Sequence, residues 1–411
     1  MLEHVIEPPI LISLILDIGN YAVFFLLFFI AHQKKLINNN LFFLAGIMLV
    51  TPFFVNGLLL SWTQLPDQSK YLKYAQMLRD SIGTIDNSTY CDSSILNYGN
   101  PADLCPEVGF FERSLKVRVP SLFFAFSPLI SIESFKSIGF LNRALFIITL
   151  LFFIKKNYLP LYVKLFLIFS PSLIIYSSVT LRDNLILLVT IWSMYFFLKR
   201  YYIFLILSSL TLFIIKPQNF MILFFFFYLI IVFIDTKNKN IQLFHKLLIL
   251  TSIPIILIYY SEPLLVSVNS LRFGFFVEQH GFYTSMTGAS SFEPLLLNYE
   301  LFTKIIKGTL YYLISPINNL HSFNHIIIML EAAFIYLYLF KNFAKDLKKK
   351  NLQNIALIWI FNFFLTASIY GLFIFNSGSL ARYRIVSLIF VLVGYELHKK
   401  IYMKMNKVQK V

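Results

Sequence analysis

Long apolar runs separated by short polar segments dominate the pattern of this chain. A hydrocarbon core of about 30 Å requires about 20 mostly apolar residues in one helix. Runs near that length recur along the sequence and predict eleven membrane-spanning helices, with ten to twelve as the range: 10–31, 41–61, 137–154, 160–178, 181–198, 201–215, 218–234, 247–260, 324–340, 353–375 and 385–398. We therefore expect an all-α integral membrane protein with one polytopic domain over residues 1–411.

Two further apolar stretches do not fit this series. Residues 119–132 and 308–322 are interrupted by Pro120, Pro128 and Pro316. Counting either stretch as a complete span would break the alternation of charge between the two sides. Non-helical backbone is tolerated at membrane depth where protein covers it. Both stretches are therefore predicted to be re-entrant or interfacial segments.

The composition agrees with a membrane protein. Hydrophobic residues make up 58% of the chain and charged residues 13%, whereas soluble domains have about 45–50% and about 25%. This balance excludes a soluble enzyme, a disordered chain and a nucleic-acid-binding domain. The sequence contains no Walker loop, Rossmann glycine fingerprint, HExxH helix or CxxC pair. We accordingly expect neither a cofactor nor a metal, and no ATP-driven transport by this chain alone.

The net charge of +15 mainly reports orientation. Lysines concentrate on one side of the predicted spans, which the positive-inside rule places in the cytoplasm. The lysines on this side fall within 34–35, 155–164, 199–200, 237–246, 341–350 and 399–410. The other side has two long loops, 62–118 and 261–307, so the N-terminus is predicted outside and the C-terminus inside. Cys91 and Cys105 share the first loop, where a disulfide and two free thiols are both open alternatives.

The arginines are distributed differently from the lysines. Only Arg200 falls on the predicted cytoplasmic side; the others are Arg79, Arg113, Arg118, Arg143, Arg182, Arg272, Arg382 and Arg384. The guanidinium group binds phosphate in a bidentate manner and stays charged when partly buried. The outer arginines therefore indicate a phosphate or diphosphate ligand presented from the membrane. Salt bridges with loop acids and lipid headgroups are the alternative.

Three local patterns add to this interpretation. In Ser170–Asp183, a polar turn ends one span and the next opens with Arg182 and Asp183. In Asn376–Arg384, Gly378 permits a tight turn before two arginines spaced i and i+2, which could bind one diphosphate from a turn. In 66–79, apolar residues at helical spacing predict an amphipathic helix on the outer surface. Asp67 is either its N-terminal cap or a carboxylate held over the bilayer.

These stretches resemble membrane glycosyltransferases. Asp67, followed by tyrosine and alanine at helical spacing, is similar to the first external loop of GT-C enzymes that use polyprenyl-phosphate sugars. The passage SPSLIIYSS…LRD resembles a stretch of those enzymes and of Wzy-like O-antigen and capsule polymerases. LISPINN (Leu313–Asn319) and NSGSLARYR (Asn376–Arg384) resemble late-chain signatures of Wzy-like proteins. In GT-C enzymes the external loop with the acidic residues follows the first span and has two adjacent acids. Here the loop with Asp67 follows the second span, and the next residue is Gln68. The polymerase is therefore favoured over the GT-C transferase.

The resemblance implies a GT-C-like helical bundle in the bacterial inner membrane. Such polymerases join oligosaccharide repeat units carried on undecaprenyl diphosphate at the outer face, in some cases with a chain-length regulator protein. Glycosyl transfer of this kind needs cations for the departing diphosphate and a base for the acceptor hydroxyl. The candidate diphosphate ligands are Arg182, Arg382 and Arg384, followed by Arg272 and Arg143. The candidate bases are Asp67, Asp183, Glu278 and His280.

Three other functions stay open at the level of sequence. A GT-C transferase of single sugars and an O-antigen ligase would use the same arginines on the same side of the membrane. A flippase for lipid-linked oligosaccharides belongs to a different class and predicts charges spread through mid-membrane positions. In the predicted spans only Asp17 and Glu331 lie deep, which disfavours transport.

Overall fold

The computed structural model describes most of the predicted spans and little of the long loops. It covers residues 10–55, 115–132, 134, 136–179, 182–235, 294–296, 299–314, 323–373 and 377–408, with single residues or short stretches within 71–79, 240–248 and 265–273. All regular structure in these residues is helical. The predicted all-α class is therefore confirmed for the described part of the chain.

Thirteen helices are complete enough in the described residues to be given bounds. They are α1 Ile10–Gln33, α2 Asn39–Val55, α3 Leu115–Ala125, α4 Ser137–Lys155, α5 Leu161–Phe169, α6 Pro171–Tyr176, α7 Asp183–Lys199, α8 Tyr202–Ile215, α9 Pro217–Ile230, α10 Tyr299–Ile314, α11 Phe323–Leu347, α12 Gln353–Phe373 and α13 Ser377–Val408. Helix α9 continues as a π-helical turn, Ile231–Asp235.

Five segments in the described part are long and apolar enough to cross a membrane: Ile15–Gln33, Ser137–Lys155, Pro217–Ile234, Ile326–Leu347 and Gln353–Leu372. The chain is thus a multi-pass helical membrane protein. The total of eleven spans and the GT-C-like arrangement stay predictions, and 247–260 lies almost entirely outside the described residues. Residues 299–307, expected in the second external loop, belong to α10.

The predicted span 160–178 is not one continuous helix. Helix α5 ends at Phe169, Ser170 is extended, and α6 begins at Pro171. Proline has no N–H to donate and disfavours the helical conformation of the preceding residue. The Ser170 hydroxyl accepts a hydrogen bond from the N–H of Leu173 at 3.3 Å and so caps the new helix. A polar turn at Ser177 and Ser178 then follows α6.

The chain divides into two compact units, Met1–Phe220 and Met221–Val411. In the first unit, the polar residues of α1 bond to the segment that precedes α4. The amide of Asn20 donates to the carbonyl of Ser131 at 2.9 Å and accepts from the N–H of Ile130 at 2.8 Å. Asp17 accepts a hydrogen bond from Ser134 at 2.8 Å. These contacts explain how a predicted span accommodates two polar side chains.

In the second unit, glycines allow two helices to approach closely. A Cβ added to Gly371 of α12 would lie 2.0 Å from the carbonyl oxygen of Gly308 in α10. Next to this crossing, the hydroxyls of Thr309 and Ser368 are 2.9 Å apart. Small residues at helix crossings are common in membranes, where close backbone packing drives association.

A buried charged cluster joins α11 to α13 in the same unit. Asp346 is fully buried, and its carboxylate lies 2.5 Å from the ammonium of Lys399. The hydroxyl of Tyr395 donates to the same carboxylate at 2.6 Å. One turn along α13 from Lys399, Glu396 accepts a hydrogen bond from Tyr338 at 2.8 Å. Burying charge is tolerated here because each carboxylate has a donor from the neighbouring helix.

Helix α4 should be especially sensitive to added volume at Gly139. A Cβ at this position would lie 1.9 Å from the carbonyl oxygen of Ser178, whereas one at Gly46 would meet the Phe25 ring at 3.5 Å, an ordinary contact. We expect Gly139→Ala to lower the free energy of unfolding by about 1–3 kcal/mol, because backbone has to move. Gly46→Ala should change it by less than about 0.5 kcal/mol. Unfolding in detergent micelles measures both, and equal losses would contradict this packing.

Candidate functional site

Arg143 is the most deeply buried of the candidate arginines in the first unit. It lies in the second turn of α4 and has no exposed surface. Its Nε donates to the carbonyl of Met48 at 2.8 Å and its Nη1 to the hydroxyl of Ser177 at 2.7 Å. The Phe146 ring centroid is 5.4 Å from the guanidinium carbon. Among the described residues no acceptor bonds to Nη2, and no carboxylate forms an ion pair with this side chain.

The Ser170–Asp183 motif packs against the face of α4 that carries Arg143. Ser177, in the turn after α6, accepts from Arg143 and donates to the carbonyl of Leu173 at 2.5 Å. The amide of Asn142 donates to the carbonyl of Val179 at 2.8 Å, and Asn184 donates to the carbonyl of Asn142 at 2.7 Å. The broken helix therefore delivers its polar turn to one face of α4.

This face of α4 could have been recognised in the sequence. Gly139, Asn142 and Arg143 are spaced i, i+3 and i+4, so they lie on one side of an otherwise apolar helix. The sequence favours Arg182, Arg382 and Arg384 over Arg143, and its spacing does not connect Arg143 with the Ser170–Asp183 motif. The connection depends on the close approach at Gly139, which sequence spacing alone does not reveal.

Arg182 and Asp183 lie at the start of α7. Arg182 is the N-cap residue and is partly buried, while Asp183 is 4% exposed and occupies the first turn. A carboxylate in the first turn interacts favourably with the positive end of the helix dipole. Asp183 thus has a structural role at this helix start and is also a buried carboxylate within the motif that contacts Arg143.

The chemistry of the Arg143 position favours an anion. A buried charge without a counter-charge is costly, and in membrane proteins such residues mark ligand and ion pathways. An anionic oxygen at Nη2 would supply both the acceptor and the counter-charge that the described residues do not provide. Arg143 follows Ser137, the first residue of α4, by six residues, or about 9 Å along the axis. The orientation predicted from the lysines makes this the outer end of α4.

In the second unit the structure joins the two late-chain motifs. The turn expected before the two arginines of Asn376–Arg384 is wrong, because Ser377 onward is helical and both arginines lie within α13. Arg384 is 1% exposed. Its Nη1 donates to the carbonyl oxygens of Tyr312 at 3.3 Å and Leu313 at 3.2 Å. The hydroxyl of Tyr336 also donates to the Leu313 carbonyl, at 3.1 Å. The final arginine of NSGSLARYR therefore holds the last turn of α10, at the first residue of LISPINN.

A column of stacked side chains leads from Arg382 into the second unit. The guanidinium carbon of Arg382 is 5.2 Å from the Tyr383 ring centroid, a cation–π distance. Tyr383 stacks on Tyr370 at 5.7 Å, and Tyr370 stacks on Tyr312 at 6.1 Å. The hydroxyl of Tyr312 is hydrogen-bonded to Ser387. Arg382 is only partly buried, so this column ends on a cation with some exposure.

Arg272 reaches the same end of the second unit. Its Nε donates to the carbonyl of Leu372, in the last turn of α12, at 2.9 Å. Tyr370 of the same turn stacks on Tyr383, the neighbour of Arg382. The structure therefore gathers Arg272, Arg382 and Arg384 around the end of α12 and the start of α13, although they are far apart in the sequence.

The other candidates are not placed by the structure. Asp67, Glu278 and His280 lie outside the described residues, as do Cys91 and Cys105. Near Asp67, the predicted helix is helical at the described positions within 71–79, and its apolar face packs against protein: the Tyr71 ring lies 6.1 Å from Phe124 of α3. In the described part of the chain, no group of three or more His, Cys, Asp or Glu residues could hold a metal ion.

Comparison with models of known protein families, with curated protein sequences and with solved structures yields no match for this chain.

The two arginines of NSGSLARYR should differ in their structural importance. Arg384→Ala removes the donor shared by two buried carbonyls and should lower the free energy of unfolding by about 1–3 kcal/mol. Arg382→Ala removes a partly buried cation–π contact, for which we expect about 0.5–1 kcal/mol. Thermal unfolding of the purified protein in detergent measures the difference. A larger loss for Arg382→Ala than for Arg384→Ala would contradict the described contacts.

Proposed function

We propose that this protein is a polysaccharide polymerase of the bacterial inner membrane. In this proposal it joins oligosaccharide repeat units linked to undecaprenyl diphosphate at the outer face, for O-antigen, capsule or exopolysaccharide synthesis. The N-terminus is outside and the C-terminus cytoplasmic. A chain-length regulator is a proposed partner. The observation that carries the proposal is the buried guanidinium of Arg143, which has no carboxylate partner among the described residues and lies against the Ser170–Asp183 motif.

The reaction is a glycosyl transfer that requires no metal if arginines bind the leaving group. The acceptor hydroxyl oxygen forms a bond to the anomeric carbon of the donor sugar. The bond from that carbon to the diphosphate oxygen breaks, and the electron pair leaves with the lipid diphosphate. A base accepts the hydroxyl proton. Donors aimed at the oxygen where charge develops typically contribute about 10²–10³ in rate each.

The described residues include candidates for both the cation that binds the diphosphate and the base that accepts the proton. Arg143 is proposed to bind a diphosphate oxygen through Nη2, in surroundings where an ionic hydrogen bond is strong. In the second unit, Arg382 has the exposure that a ligand-binding cation needs, whereas Arg384 and Arg272 mainly hold backbone carbonyls. Asp183 is the proposed base among the described residues. Asp67, Glu278 and His280 stay alternative bases.

One observation also favours a second function, a flippase or other transporter for lipid-linked oligosaccharide. Arg143 is fully buried within a helix long enough to span the membrane, and such residues often line transport pathways. The sequence predicts that only Asp17 and Glu331 lie deep in the spans, which disfavours transport. The buried Arg143 adds a third deep charged residue and so weakens that argument. The two functions differ in which face of the membrane holds the unreacted repeat unit when the protein is inactive.

We expect Arg143→Gln to lower the rate of polymerisation at least about 10²-fold, because the cation that stabilises the departing diphosphate is lost. Arg143→Lys should retain part of the activity, since the charge remains without the planar fork. The assay is polymer length on gels from cells of the native host, with membrane abundance of the protein measured in parallel.

Arg200→Gln is the matched control, because Arg200 is exposed and lies at the other end of the same unit's helices, after α7. It should leave polymer length unchanged. Single repeat units that accumulate on the outer face in Arg143→Gln cells support the polymerase, and accumulation on the cytoplasmic face supports the flippase. Full-length polymer at normal protein abundance would contradict both.

A further inference from the structure

The α1–α2 hairpin has an apolar groove on its outer surface. The groove has a volume of about 470 Å³ and is lined from both helices, by Tyr21 and Phe25 of α1 and by Phe42, Ile47 and Phe54 of α2. Two-thirds of the Ile47 surface and half of the Phe54 surface are exposed. In a membrane protein such a face meets lipid.

A polar pocket lies where the two helices of the hairpin are connected. Its volume is about 520 Å³, and its lining includes His32, Lys35, Asn38 and Lys155, with no acidic side chain. The ammonium of Lys155 donates to the carbonyl of Leu36 at 2.6 Å and is thereby held against the pocket. Among the described residues, neither Lys35 nor Lys155 forms an ion pair with a carboxylate. The pocket is thus suited to a negatively charged group.

Helix α2 begins in this pocket. Asn38 caps it by accepting a hydrogen bond from the N–H of Leu41 at 3.0 Å. The positive end of the α2 dipole therefore adds to the charge of the two lysines. Both the side chains and the helix end favour the same sign of ligand.

One aromatic pair lies between the pocket and the groove. The His32 ring, which lines the pocket, stacks on the Phe42 ring, which lines the groove, at 5.2 Å and 19°. Phe42 in turn lies 5.4 Å from Phe25. From His32 to Tyr21 the α1 axis rises about 16 Å, which is close to one leaflet of a hydrocarbon core of about 30 Å.

We propose that this hairpin binds an anionic phospholipid. The headgroup phosphate lies between Lys35 and Lys155, and one acyl chain follows the groove from Phe42 towards Phe54. The charge rule places the pocket on the cytoplasmic side, where anionic lipids attract basic residues by about 1 kcal/mol each. This proposal does not rest on the polymerase proposal, because the site uses neither Arg143 nor any other arginine.

The test compares defined ligands on the purified protein in detergent. Phosphatidylglycerol, phosphatidylcholine and inorganic phosphate are added separately, and bound ligand is counted by native mass spectrometry. We expect tighter retention of phosphatidylglycerol than of phosphatidylcholine, and at least about a tenfold loss of that retention in Lys35→Gln/Lys155→Gln, from the loss of two cationic contacts.

Two further variants keep the proposal falsifiable if the double variant is poorly folded. Gly46→Leu fills the groove without touching the lysines and should also lower retention of phosphatidylglycerol. Lys345→Gln/Lys348→Gln removes the same charge from the end of α11 and should have no effect. Equal retention of the two lipids, binding of inorganic phosphate that displaces phosphatidylglycerol, or an equal loss in the α11 variant would each overturn the proposal.

Discussion

Hydrocarbon provides no hydrogen-bond partner, so a polar group that a helix carries into the membrane has to find one within the protein. In the first unit, Asp17 and Asn20 meet this requirement through Ser134 and Ser131. In the second, Asp346 meets it through Lys399 and Tyr395. These contacts satisfy the polar side chains from neighbouring segments of the same unit.

Arg143 finds hydrogen-bond acceptors for only part of its guanidinium group. The proposed function depends on the remaining nitrogen, Nη2, which has no acceptor among the described residues. Its Nε and Nη1 have acceptors from Met48 and Ser177, so the guanidinium is held in a defined position. Its Nη2 has none in the described part of the chain, and its charge has no carboxylate partner there. A preorganised cation in water-poor surroundings is what stabilisation of a developing anion requires. The same geometry would serve to bind an anion in transit, which is why transport is the second candidate.

The sequence predicts the helices of this protein well, because the length and apolarity of a run are local properties. Helices α4, α7 and α12 begin and end close to the predicted spans. Pro171 is the sequence signal for the break at Ser170, because proline disfavours the helical conformation of the residue before it. The apolarity of 160–178 nevertheless predicts one continuous span. The gathering of Arg272, Arg382 and Arg384 at the end of α12 could not be predicted, because it depends on tertiary contacts to backbone carbonyls and on ring stacking that no spacing encodes.

The most direct test of the central claim is reconstitution of the purified protein in vesicles with a synthetic repeat unit linked to undecaprenyl diphosphate. The account predicts a ladder of products that differ by one repeat unit, with one undecaprenyl diphosphate released for each bond formed. It also predicts that a metal chelator leaves the ladder intact. Unchanged substrate in the presence of correctly inserted protein would contradict the account, and movement of the substrate across the bilayer without joining would replace the polymerase with the transporter.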